Sequence, residues 1–160
     1  MTSAQGTKNL EMIRASFQEI QNEGDIQNIL NFQIIDLEYE IANVIEAYQG
    51  ASQCMIAKYV FAPWSKMKNF NAGKDRLEAS IAENKVVENV YLRLMIQLNA
   101  PKIVNYNIDI DSDLQFIEHH LVKPPMDSSF KKLMIENLLS IVKNNEQEEV
   151  LLQIDRSISG

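Results

Sequence analysis

The chain has 160 residues, 46% of them hydrophobic and 23% charged, which supports one globular domain with a real core. Fifteen basic against 22 acidic residues give a formal net charge of −7, which disfavours general affinity for phosphate backbones and favours solubility. Cys54 is the only cysteine, so an internal disulfide is excluded, and no apolar run approaches the roughly 18–20 residues that span a bilayer.

The first predicted helix runs from Lys8 to Asn22, with Leu10, Ile13, Phe17 and Ile20 at helical spacing. Gly24 is expected to stop it and Asp25 to cap the next helix. From Ile26 to Ala62 the apolar residues Ile34, Leu37, Ile41, Val44, Ile45 and Tyr48 keep a helical period. Two helices with a break near Asp36 to Glu40 are expected, one long helix being the alternative. Pro63 suits the first turn of a further helix, which carries Met67, Phe70, Leu77 and Ile81 and ends near Asn84. Val86 to Asn99 is apolar around most of its circumference, the pattern of a helix in the middle of a structure. Pro101 closes it.

Asn105 to Asp111 reads as a loop, or as briefly extended. Ser112 and Gln115 form a capping-box pair for a short helix to Leu121, and Pro124-Pro125 breaks the chain again. Asp127 to Asn144 is amphipathic through Phe130, Leu133, Leu138, Ile141 and Val142. An acidic final helix holds Val150, Leu151, Ile154 and Ile158. The fold expected is all-α: seven to eight short helices stacked as antiparallel hairpins in a single domain over 1–160, with 1–7 and 157–160 frayed. Ala47, Gly50 and Ala51, and then Gly73, place small residues where a neighbouring helix could approach closely. A period near 34–40 residues is suggested, without a clean internal repeat.

Between Ala47 and Ile117 the chain resembles an uncharacterised bacterial family of tetratricopeptide-like helical proteins. The residues that carry the resemblance are Ala47-Tyr48-Gln49-Gly50-Ala51, the run from Lys58 to Lys66 with Pro63-Trp64, Phe70-Asn71-Ala72-Gly73, Leu77, Tyr91-Leu92-Arg93-Leu94, Ile96-Gln97, Asn99-Ala100-Pro101, Tyr106-Asn107, Asp113 and Phe116-Ile117. The family pattern has a proline where Lys85 stands and Leu-Gly where Val104-Asn105 stand. The resemblance implies an irregular tetratricopeptide-like fold and no activity.

No motif for catalysis, metal or nucleotide stands out. Lys74 falls inside the apolar arc of its helix, to be read first as a lysine reaching outward past its apolar neighbours and second as an anion-binding group in a groove. Asn89, Arg93 and Gln97 lie four apart and draw a polar stripe along an otherwise apolar helix. A structural tie to a neighbouring carboxylate is the first reading of Arg93, a ligand contact the second. His119 and His120 are adjacent and cannot grip one metal from a helix; His120 shares a face with Asp113 and reads as a core or groove histidine before a catalytic base. Asp109, Asp111 and Asp113 resemble the start of a calcium loop, but Leu114 and His120 occupy the positions that need Gly and Glu. Helix-start carboxylates explain them better. Glu146, Glu148, Glu149 and Asp155 read as a solvated face, and Cys54 as a small buried apolar residue.

These readings lead to a non-catalytic module that binds an unknown protein or peptide in a groove involving Lys66, Lys74, Arg93 and Trp64, with no cofactor and no membrane span. The alternative is a small-molecule or enzymatic site built from Lys74, Arg93, Asp113 and His120. A third is nucleic-acid binding through the Lys58 to Arg76 region, where aromatic residues interleave with basic ones. Met1 to Asn9 is polar and lacks the apolar run of a secretory signal. A cytoplasmic location is therefore expected, an exported form with its leader removed being the alternative.

Overall fold

Eight α-helices and two short 3₁₀ turns make up the regular structure of the described residues, which include no strand. The structure is a computed structural model and describes residues 4–123 and 126–160. The helices are α1 (Ala4–Gln18), α2 (Glu23–Leu30), α3 (Tyr39–Met55), α4 (Pro63–Glu83), α5 (Val87–Asn99), α6 (Ile110–His120), α7 (Ser128–Ile141) and α8 (Asn145–Ser159). The break expected at Pro124-Pro125 lies outside the described residues. Two compact units divide the chain, Met1–Asn89 and Val90–Gly160, and the division falls inside α5.

Local chemistry explains most helix boundaries. Asn22, rather than Asp25, is the N-cap of α2: its side chain accepts from the Asp25 backbone N–H at 2.9 Å. Asp25 reaches back to accept from the Gln21 N–H at 2.9 Å, a reciprocal arrangement close to a capping box. Gly24 therefore sits inside α2 and does not end α1, which stops at Gln18. The segment from Ile26 to Ala62 holds two helices. The break covers residues 31–38, wider than expected, and includes Asp36 in the left-handed region at φ 56°. Ala62 is extended, as the residue before a proline prefers, and Pro63 opens α4.

The expected Ser112–Gln115 capping box does not form, because α6 begins three residues earlier, at Ile110 with Asp109 rather than Ser112 as its N-cap. Ser112 Oγ instead donates to the Asp109 carbonyl at 3.0 Å. Asp127 caps α7 and Asn144 caps α8, each side chain accepting a backbone N–H two or three residues on. α1 begins at Ala4 and α8 ends at Ser159, so helix reaches into both segments expected to fray.

In the first unit α3 packs on α4, α1 and α2. Pairings along α3 and α4 run in opposite senses. The Tyr39 hydroxyl donates to the Glu83 carbonyl at 3.5 Å, Asn43 Nδ2 to the Ser80 carbonyl at 3.0 Å, and Cys54 Sγ to the Phe70 carbonyl at 3.5 Å. The two helices are thus an antiparallel hairpin. At its middle the backbones touch. A Cβ on Gly50 would lie 2.8 Å from the Leu77 nitrogen, and one on Gly73 would lie 2.5 Å from both the Cys54 nitrogen and the Gly50 carbonyl oxygen. Only glycine at both positions allows this approach. In the second unit α8 packs on α7 and α6, and Leu114, Ile117, Ile135, Leu138, Leu151 and Ile154 are buried there.

Candidate functional site

Every residue from Glu88 to Leu94 of α5 is buried, polar ones included. Asn89, Arg93 and Gln97 are 0%, 7% and 3% exposed, so the polar stripe does not line an open groove. A guanidinium in such a place needs a carboxylate, and Asp113 of α6 supplies it. Arg93 Nε donates to Asp113 Oδ2 at 2.9 Å and Nη2 to Oδ1 at 2.6 Å. Gln97 Nε2 adds a third bond to Asp113 at 2.8 Å, while its Oε1 accepts from the Asp109 N–H at 2.9 Å. Arg93 also lies 3.7 Å from the Asp109 carboxylate. Burial pushes the Asp113 carboxyl up, and the bonds from Arg93 and Gln97 oppose that shift without cancelling it. The network fastens α5 to the start of α6 and holds the loop before α6 in place.

His120, the other expected member of an enzymatic site in this unit, does not join this network. His120 is half-buried; its Nδ1 lies 2.8 Å from the Phe116 carbonyl oxygen and its ring stacks on Phe116 at 4.0 Å. Lys74 belongs to the first unit, half-buried on α4. Among the described residues no group of three or more His, Cys, Asp or Glu could hold a metal ion.

A cavity of about 170 Å³ lies beside Gln97, lined also by Pro101, Lys102, Tyr106, Lys143 and Gln147. It is smaller than the roughly 300–1,000 Å³ of ordinary small-molecule sites, and neither Arg93 nor Asp113 lines it.

Two further buried polar clusters occur in the first unit, and sequence reasoning missed both. Glu88, 4% exposed, accepts from Arg14 Nε and Nη2 at 2.7 and 2.6 Å and from the Tyr48 hydroxyl. Gln49 donates to the Ile29 and Phe32 carbonyls at 3.1 and 2.9 Å and accepts from Arg76, joining the end of α2 to α3 and α4. A signal for Gln49 was available: it stands four residues after Ile45 and eight after Ile41, on the apolar face of α3.

The remaining sequence-predicted residues are the ones that face outward. Trp64 is 77% exposed in the first turn of α4, and Phe61, just before that helix, is 98% exposed. Met67 is half-exposed; it and Lys68, three and four positions after Trp64, share a helix face with that residue. Lys58, Lys66 and Lys68 are exposed and form no ion pair with a described residue. The basic-aromatic stretch is therefore split. Phe70 turns into the core and Arg76 bonds to Gln49, while Phe61 to Lys68 stays at the surface.

The chain matches no protein-family model, no curated protein and no solved structure. Among the described residues no helix is long and apolar enough to cross a membrane.

Proposed function

We propose that this all-α protein is a non-catalytic interaction module that docks a partner segment on the surface formed by Phe61, Trp64, Met67 and Lys68. The observation that carries the reading is the exposure of Phe61 and Trp64 together, at the connection between the two helices of the α3–α4 hairpin. Exposed aromatic residues close together are uncommon on a protein with nothing to bind, and Trp and Met are enriched at interface centres. The resemblance to tetratricopeptide-like bacterial proteins supports the same reading, since stacked helix pairs serve as binding scaffolds. The groove inferred from sequence narrows accordingly. Trp64 belongs to the proposed surface with Met67 and Lys68, Lys66 lies on the other side of α4, and Arg93 serves the internal tie to Asp113.

The test compares immobilised wild type with a Phe61→Ser/Trp64→Ser variant in pull-downs from native lysate, read by mass spectrometry. The expected result is a set of proteins held by the wild type and lost by the variant, with circular dichroism unchanged. Recovery of the same set by both, or of nothing by the wild type, would remove the proposal.

A further inference from the structure

We propose that the second unit carries a binding site for a small oxyanion, a phosphate or a carboxylate, in the cavity beside Gln97. The site is separate from the docking surface of the first unit and does not rest on it. The cavity lies between the end of α5, the connection that follows it and the start of α8, and every residue that lines it belongs to the second unit. Its wall includes Lys102 and Lys143 and no Asp or Glu, in a protein whose net charge is −7. Neither lysine forms an ion pair with a described residue. Asn105, Asn107 and Gln147 line the same space, and their side-chain amides bond to no described residue. Ammonium and amide N–H groups are the donors that the lone pairs of an oxyanion require.

The wall is held in shape by bonds of its own. Gln97 is buried, and both ends of its amide are engaged, one with Asp113 and the other with the Asp109 N–H. Pro101 leads into the 3₁₀ turn Lys102–Val104, which ends on Asn105 in the left-handed region at φ 50°. Asn144 caps α8 by accepting from the Gln147 N–H at 3.0 Å, which fixes the chain between Lys143 and Gln147. The carboxylates nearby in sequence are directed elsewhere. Asp109 lies 3.7 Å from Arg93, and Glu146 and Glu148 are exposed and outside the lining. A metal cation finds no carboxylate, imidazole or thiolate on this wall. The volume of about 170 Å³ suits a group of a few heavy atoms and not a nucleotide.

The test titrates the isotope-labelled full chain with inorganic phosphate and, separately, with acetate, at fixed ionic strength, and follows the backbone amide resonances. Saturable shifts confined to residues 97–110 and 143–147 are expected with at least one of the two anions. The tighter-bound anion assigns the site to phosphates or to carboxylates. Affinity should fall about tenfold in Lys102→Gln/Lys143→Gln and stay unchanged in Lys132→Gln, which replaces an exposed lysine outside the lining. All three lysines are exposed, so each variant should keep the circular-dichroism spectrum of the wild type. The inference is overturned if neither anion gives saturable shifts, or if the shifts spread over exposed lysines along the whole chain. It is equally overturned if Lys102→Gln/Lys143→Gln binds as tightly as the wild type, or if neutral acetamide saturates the same residues as tightly as acetate and phosphate.

Discussion

Burial decides the chemistry of single residues here. Cys54 is 3% exposed, its Sγ turned to the Phe70 carbonyl, and burial pushes its thiol up from 9.0 to about 12 against a smaller opposing influence of Lys74. The unfolded chain loses this proton near pH 9 while the folded chain keeps it. Stability should therefore fall as pH rises above 9, by up to about 1.4 kcal/mol per pH unit, until the folded value is reached. Denaturant titrations between pH 8 and 10.5 on wild type and Cys54→Ala check this, and the extra alkaline slope should be present only in the wild type. The Arg93–Asp113 pair is the second case. Asp113→Leu strips the buried Arg93 guanidinium of its bidentate carboxylate, and a loss of about 3–5 kcal/mol is expected. Adding Arg93→Met should recover much of it. A double variant as unstable as the sum of its parts would show that Arg93 and Asp113 are not energetically coupled, and would contradict the tie.

At the level of elements, α3 and α4 depend on two glycines and α2 on one asparagine. A methyl group at residue 73 meets backbone atoms of α3, which cannot rotate away, so Gly73→Ala should destabilise by about 1–3 kcal/mol even though alanine is the better helix former. Thermal unfolding by circular dichroism measures it, and an unchanged or raised midpoint would contradict the contact. Asn22→Ala removes the cap of α2 and should cost about 1 kcal/mol in the same measurement. Element positions were largely legible. Pro63 marked the start of α4 and the apolar period marked α5 because both are local effects, written within a turn or two of the chain. Gly24 misled because glycine is as compatible with the first turn of a helix as with its end, and the competing cap signal of Asn22 was stronger. The capping box at Ser112 misled for a related reason. Asp109 opens the helix earlier, and its backbone N–H is bonded to Gln97.

The whole molecule is two compact units, each with its own buried side chains. Ile135 is fully buried in the second, and Ile135→Ala should speed amide hydrogen exchange foremost in residues 90–160. Equal acceleration along the chain, read by mass spectrometry, would show a single cooperative unit instead. From sequence alone came the all-helical class, seven to eight helices, and the presence of a polar stripe on α5. These follow from periodicity and composition, which need no knowledge of neighbours. Tertiary packing alone decided where the polar groups point. Arg93 and Asp113 are twenty positions apart, and only the docking of α5 with α6 makes them partners rather than two open ligand contacts. Phe61 and Trp64 were left in water, and Phe70 was taken into the core, by the place where α4 meets α3; a one-dimensional pattern specifies a helix face but not how far along the helix its partner extends.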